Sequence, residues 1–172
     1  EGAYFVTVCT FERYELFGEI AAETMRLNPL GQIARDRWLE IPQHFPNVEL
    51  DLFVVMPNHV HGIVLIVDQL SEGDKQPTTR HASSLQKPIA SSHRLIGAKA
   101  GSVGAVLGSY KAAVTRDINK LMEVGAPRVW QTRYHDHIIR SEPELHQIQA
   151  YIEANPARWE EDKFFVQPKP NA

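Results

Sequence analysis

Cysteine is nearly absent from this chain of 172 residues, in which Cys9 is the only one. A single cysteine excludes an intramolecular disulfide, and the lack of a disulfide framework is typical of proteins from a reducing compartment. We therefore expect a cytoplasmic protein. Cys9 itself is interpreted as a small buried apolar residue.

Long hydrophobic runs are also missing. The most apolar stretch, residues 52–67, is interrupted by Pro57, Asn58 and two histidines, and it is shorter than the roughly 20 residues of a membrane helix. The start of the sequence reads as a strand rather than as a secretory signal. With 43% hydrophobic residues, the chain can form a sizeable core. We expect residues 1–172 to form one domain that does not enter a membrane.

The chain also lacks an excess of positive charge, since its formal net charge is −3. Phosphate binding usually requires a basic surface, so this balance argues against a nucleic-acid partner. The charge is unevenly distributed, however. Residues 105–140 carry six basic and three acidic side chains, so this segment is +3 and the rest of the chain is −6. The pattern fits one basic face for DNA, or equally a solvated helix surface.

Apolar periodicity predicts seven elements in the order β-α-β-β-α-β-α. The expected strands are 3–9, 48–56, 59–67 and 133–140, and the expected helices are 28–45, 105–124 and 142–155. Residues 10–23 are expected to be a polar connection, and residues from about 68 to 103 a long polar loop. The first six elements match the ferredoxin-like plan. The predicted fold is therefore α+β, an antiparallel sheet with helices on one face, followed by a C-terminal helix.

A pair of histidines, His59 and His61, begins the third predicted strand. Side chains two residues apart on a strand point to the same face, so both imidazoles can reach one divalent ion. A second alternating pair, His135 and His137, lies in a more polar strand. For that pair, surface exposure or phosphate contact is favoured over metal binding.

The last predicted helix carries Tyr151 and Asn155, which lie one turn apart on the same face. An amide oxygen beside a phenol supplies a neutral metal ligand next to a nucleophile. The alternative is a partly buried tyrosine and an asparagine that caps the helix. Tyr110 is a competing nucleophile, although it lies on the apolar stripe of the preceding helix.

Three segments, Met56–His61, Val129–Arg140 and Ala150–Pro156, resemble the three motif blocks of single-tyrosine HUH transposases. Within that class the chain is most similar to the REP-associated tyrosine transposases, and the resemblance spans nearly the whole sequence. It implies an enzyme that cleaves and rejoins single-stranded or hairpin DNA through a covalent 5′-phosphotyrosine.

The resemblance also implies roles for individual residues. Tyr151 would be the nucleophile, and His59, His61 and Asn155 would bind a divalent ion, Mg²⁺ or Mn²⁺, with no organic cofactor. Further residues are candidates for DNA contact because they belong to the basic segment or to the middle motif block, whose role is DNA contact or support of the sheet: Lys111, Arg116, Trp130, Gln131, Arg133, Tyr134 and Arg140.

Two other functions remain open from the sequence. The first is a noncatalytic, domesticated protein that binds DNA hairpins. The second is a metal-dependent phosphodiesterase that uses water, in which Tyr151 would be structural. The sequence is also compatible with either a monomer or a homodimer.

Overall fold

The computed structural model describes residues 2–67, 101–123 and 128–166. In these ranges the longer elements are strands and α-helices that follow one another along the chain, and two short 3₁₀ turns lie at Phe11–Arg13 and Trp159–Glu161. The elements are β1 (Gly2–Cys9), β2 (Gly18–Ala21), β3 (Thr24–Leu27), α1 (Pro29–Leu39), α2 (Ile41–His44), β4 (Val48–Met56), β5 (His59–Ile66), α3 (Val103–Met122), β6 (His135–Ile139) and α4 (Glu142–Ala154).

The main sheet has the strand order β4-β5-β1-β6, and every neighbouring pair is antiparallel. Strand β1 lies inside the sheet and pairs with β5 on one side and β6 on the other. This order is the one that the split βαβ plan requires, because the two strands that follow helices flank the central pair. The predicted α+β class and ferredoxin-like sheet are confirmed.

The two faces of the sheet have different chemistry, which follows from the alternation of side chains along each strand. On one face, Val8 lies opposite Val60, and Val6 lies opposite Gly62. The three valines belong to the main hydrophobic core together with buried side chains of α1 and α3. On the other face, Thr7 lies opposite His61.

Helix α1 begins where the sequence predicts. The Asn28 side chain accepts a hydrogen bond from the Gly31 amide at 2.9 Å, and Pro29 occupies the first turn, where its missing N–H costs nothing. From this helix the fully buried Trp38 packs across the sheet at Gly62. The expected helix 28–45 is divided, because α1 ends at Leu39 and a separate turn, α2, contains Pro42.

Helix α4 lies on the opposite face from α1 and α3. The Tyr151 ring packs edge-on against Phe5 at a centroid distance of 6.1 Å and contacts His61, and both of these residues point away from the main core. The Gln149 amide donates a hydrogen bond to Asp51 of β4 at 2.8 Å, which fixes the helix against the edge of the sheet. The second face of the sheet is therefore covered by the C-terminal part of the chain.

The expectation that residues 10–23 form only a polar connection is wrong. Strands β2 and β3 form a hairpin whose two-residue turn, Ala22-Glu23, has φ angles of 50° and 59°. Positive φ at both central positions matches the twist of a hairpin, but glycine or asparagine usually occupies such positions. The residues of this turn therefore gave no signal in the sequence.

The expected polar loop falls almost entirely on residues 68–100, which lie outside the described residues, and α3 begins at Val103. Of the helices in the described parts of the chain, none is long and apolar enough to cross a membrane.

Substituting Gly62 should destabilise the fold. A Cβ atom there would lie 2.3 Å from Trp38 Cζ2, so Gly62→Ala forces the indole or the strand to move. We expect a loss of about 1–3 kcal/mol in the free energy of unfolding, measured by urea denaturation. Gly108→Ala in α3 is the control, because a Cβ atom there meets nothing within 4 Å, and it should be neutral or slightly stabilising. Equal effects of the two substitutions would contradict this account.

Candidate active site

The paired histidines His59 and His61 are the centre of the site. Both are fully buried, and their ring centroids lie 4.3 Å apart. The register of β5 against β1 places them opposite Cys9 and Thr7, on the face of the sheet that α4 covers. The predicted same-face arrangement of the two imidazoles is confirmed.

The His59 ring has a free nitrogen. His59 Nδ1 lies 2.8 Å from Asn58 Oδ1, and since an amide oxygen only accepts hydrogen bonds, Nδ1 carries the proton. The lone pair is then on Nε2, which is buried and has no hydrogen-bond partner among the described residues. Donation of the other ring N–H to an oxygen acceptor is typical of metal-binding histidines.

The His61 ring is held from both sides. Its Nδ1 lies 2.8 Å from Thr7 Oγ1, and its Nε2 lies 3.2 Å from the Tyr151 hydroxyl. When Nδ1 donates to the threonine oxygen, Nε2 presents its lone pair toward the same space as His59 Nε2. The candidate ligand and the candidate nucleophile are therefore in direct contact.

Asp162 completes the group, and no sequence pattern predicted its role. One ligand atom each from His59, His61 and Asp162 can be chosen so that all lie within 4.8 Å of one another, which is close enough to bind one metal ion. Asp162 comes after α4 and a 3₁₀ turn, where no helical or strand periodicity applies. Asp162 therefore has no regular spacing from the other candidate ligands in the sequence. Only the tertiary fold brings its carboxylate to the histidines.

Asn155 lies beside this group, as the resemblance implied. It caps α4, is 3% exposed, and donates from Nδ2 to Asp162 Oδ2 at 2.7 Å. Its Oδ1 is buried without a partner among the described residues. Buried polar atoms are nearly always satisfied, so the unpartnered lone pairs of His59 Nε2 and Asn155 Oδ1 are compatible with metal binding. Imidazole, carboxylate and amide donors suit a divalent metal ion.

Tyr151 lies at the mouth of the site, with 40% of its surface exposed. Its hydroxyl donates to Asp162 Oδ2 at 2.9 Å. Partial burial and then this contact with the carboxylate raise the pKa of the Tyr151 phenol above its usual value. The ring faces a groove of about 600 Å³ that is also lined by Asn155, Arg158 and Asp162, so a ligand can reach the phenol.

Both histidines are held in the neutral form that binds metals. Burial, followed by the positive charges of Arg13 and Lys163, lowers the pKa of His59 to about 3. Burial and the neighbouring His59 lower the pKa of His61 well below its ordinary value. At neutral pH each imidazole therefore keeps a lone pair for an ion.

Tyr110, the competing nucleophile, lies in the main core. It is 2% exposed, and its hydroxyl donates to the carbonyl oxygen of Ala34 at 3.1 Å. Burial raises the pKa of the Tyr110 phenol strongly. These contacts indicate a structural role.

Three of the candidate DNA-contacting residues, Trp130, Lys111 and Gln131, support the edge of the sheet. Trp130 is buried between Phe17 and Tyr110, and its Nε1 donates to the Lys111 carbonyl at 3.2 Å. The Lys111 ammonium donates in turn to the carbonyl oxygens of Gln131 and Thr132. These hydrogen bonds hold the segment before β6 against α3.

The other candidates are exposed. Arg133 and the exposed Tyr134 precede β6, and Arg140 follows it. Arg116 on α3 makes one long contact, 3.6 Å, with Asp117. His137 contacts Glu144 at 2.7 Å on the surface, which fits the expected exposure of the second histidine pair.

Comparison with known proteins identifies a relative and a shared fold. No protein-family model matches the chain. An uncharacterized protein of Haemophilus influenzae is 38% identical over 166 residues, which are 96% of this chain and 86% of that protein. A solved REP-associated tyrosine transposase, bound to a REP hairpin, superposes with a TM-score of 0.52 at 17% identity over 92% of this chain and 68% of the other. At this identity the similarity establishes the fold.

Removing either histidine should abolish tight metal binding. In titration calorimetry with Mn²⁺, we expect His59→Ala and His61→Ala each to lose at least about tenfold in affinity, since each removes a nitrogen ligand. Asp162→Asn and Asn155→Ala test the oxygen donors in the same way. His137→Ala is the control, because that ring lies on the surface. Unchanged affinity in both His59→Ala and His61→Ala would refute the metal site.

The low pKa of His59 should make the metal-free protein sensitive to acid. Folded His59 stays neutral down to about pH 3, whereas its unfolded pKa is about 6.5, so protons favour unfolding as pH falls below that value. From pH 7.5 to 5.0 this histidine should cost about 2 kcal/mol of stability, measured by urea denaturation in EDTA. His59→Gln should remove that part of the loss. The exposed His44→Gln should retain it, and if the two variants behave alike the assignment is wrong.

Proposed function

Because the chain belongs to one family with the Haemophilus influenzae protein and has the fold of a REP-associated tyrosine transposase, we propose that it is a DNA strand-cleaving and strand-joining enzyme. Tyr151 is the proposed nucleophile. The observation that carries the proposal is its contact with the group that can hold a metal: its hydroxyl lies 3.2 Å from His61 Nε2 and 2.9 Å from Asp162 Oδ2.

The proposed reaction is a transfer of one phosphodiester bond. The Tyr151 oxygen attacks the phosphorus of a DNA strand, the bond to the 3′ oxygen breaks, and that oxygen leaves as a 3′-hydroxyl after taking a proton. The protein keeps the other fragment as a 5′-phosphotyrosine. A 3′-hydroxyl can attack this link in the reverse direction and release the tyrosine, so joining needs no nucleotide cofactor.

Deprotonation of Tyr151 is the main chemical difficulty, because the pKa of this phenol is raised above its usual value. Asp162 already accepts the hydroxyl hydrogen and lies in position to receive the proton as the phenol attacks. Asn155 donates to the same carboxylate oxygen and keeps it directed at Tyr151. The exposure of the ring leaves one side of the phenol open to a DNA strand.

His59, His61, Asp162 and Asn155 would hold the divalent ion, Mg²⁺ or Mn²⁺. Such an ion supplies Lewis-acid polarisation of the phosphate and offsets negative charge in the transition state. The contacts of Asn58 with His59 Nδ1 and of Thr7 with His61 Nδ1 keep both imidazoles oriented for metal binding.

The proposed substrate is single-stranded DNA that carries a REP-like hairpin. A groove lined by residues of α4 leads to Tyr151 and gives a DNA strand access to the phenol. The exposed Arg116, Arg133 and Arg140 are proposed to contact phosphates away from the reacting bond. Lys111, Gln131 and Trp130 would act indirectly, by fixing the segment that precedes β6.

The Tyr151→Phe variant tests the nucleophile. It removes one hydroxyl and keeps the ring against Phe5 and His61, so folding and DNA binding should change little. Hairpin oligonucleotides with random single-stranded flanks and a 3′ label are incubated with protein and Mn²⁺. The wild type should form a labelled adduct that survives denaturing electrophoresis, and Tyr151→Phe should form none.

Two matched variants complete this experiment. Tyr110→Phe should retain the adduct, because that phenol is buried in the core. Asp162→Asn should slow adduct formation by about 100-fold or more if the carboxylate receives the proton. Cleaved DNA without an adduct would indicate a hydrolase that uses water, and bound but intact DNA would indicate a noncatalytic hairpin-binding protein.

A further inference from the structure

We propose that Arg13 and Lys163 form a phosphate-binding subsite beside the candidate metal ligands, where they hold a phosphodiester of single-stranded DNA. The choice of DNA as the source of that phosphate rests on the proposed function. The two residues are 150 positions apart in sequence and meet through one aromatic ring.

Phe164 is that ring. Its centroid lies 4.7 Å from the ring of His59 and 5.6 Å from the ring of His61. Arg13 Cζ lies 5.2 Å from the same centroid, and Lys163 Nζ lies 4.9 Å from it. Both cations and both imidazoles therefore lie around the same aromatic ring.

The Arg13 guanidinium is held by the backbone at Lys163. The Arg13 guanidinium donates from Nη1 to the carbonyl oxygen of Lys163 at 3.1 Å. Asn58, whose side chain also orients His59, donates from Nδ2 to the carbonyl oxygens of Arg13 at 3.3 Å and Phe164 at 2.9 Å. One buried amide therefore links the metal ligand to the backbone of the proposed subsite.

The backbone at Arg13 is in an unfavourable conformation. Glu12 and Arg13 have φ angles of 51° and 58°, in the left-handed region that residues with a Cβ atom rarely adopt. Such strain persists where surrounding contacts impose it and is frequent at functional sites. Here it accompanies the placement of the guanidinium over Phe164.

Neither of the two cations forms an ion pair within the described residues. Several other arginines, including Arg35, Arg37 and Arg158, form ion pairs, whereas Arg13 and Lys163 form none with the carboxylates of the described ranges. The neighbouring Asp162 carboxylate accepts hydrogen bonds from Tyr151 and Asn155 instead, so the two cations remain available for a further anion. A phosphodiester meets this requirement, since a guanidinium and an ammonium both bind phosphate oxygens.

A binding experiment tests the subsite separately from catalysis. Affinity for a fluorescent single-stranded oligonucleotide is measured by anisotropy at several KCl concentrations in the Tyr151→Phe background, with EDTA present. Arg13→Gln/Lys163→Gln should bind about tenfold more weakly, and the slope of log K against log salt should fall by about 1.4, or 0.7 for each lost phosphate contact. Arg26→Gln/Arg35→Gln removes the same charge at two exposed positions outside the site and should leave the slope unchanged.

The outcomes separate the two proposals. Equal slopes in the two double variants would overturn the subsite, whatever the adduct assay gives. A wild type that binds DNA with the expected dependence on Arg13 and Lys163, yet forms no adduct, would overturn the enzymatic proposal and keep the subsite. A wild type without affinity for single-stranded DNA would overturn both. If the double variant does not fold, the exposed Lys163→Gln alone should lower the slope by about 0.7, and an unchanged slope would reject the proposal.

Discussion

The antiparallel pairing of β1 with β5 is the constraint on which the rest of this structure depends. Its register places Thr7 opposite His61 and Val8 opposite Val60, so alternate residues of one strand pair serve two different purposes. A shift by one residue would direct both imidazoles into the apolar core and the valines toward α4. The close approach of Trp38 to Gly62 allows only this register, because any larger residue at that point would collide with the indole.

The second face of the sheet depends on the end of the chain. Trp159 and Phe164 are buried in a small cluster with Cys9 and Met56, and this apolar contact anchors the segment that carries Asp162. Burial of those two rings therefore positions a carboxylate as well as stabilising the fold. The same anchoring brings Lys163 and Phe164 to Arg13, so the proposed metal ligands and the proposed phosphate subsite share one structural support.

Burial and charge act together at the histidines. Removing two imidazoles from water lowers the pKa of each, and a neutral pair costs less to bury than a charged pair. The remaining cost is a nitrogen on His59 and an amide oxygen on Asn155 that are buried without a hydrogen-bond partner among the described residues. Together with Asp162, the two neutral imidazoles form a group that could bind a metal ion.

The sequence by itself determined the alternation of β1 and β5, the cap of α1 at Asn28, the pairing of His59 with His61, and the spacing of Tyr151 and Asn155, because each of these is a local property of a strand or a helix. Only the tertiary structure decided what lies far apart in the chain. Asp162 and the Arg13–Phe164 contact belong to irregular segments that have no periodicity, and long-range packing brings them to the histidines. The same packing assigned Trp130 and Lys111 to the support of the sheet edge, since burial and hydrogen-bond partners are set by the whole fold.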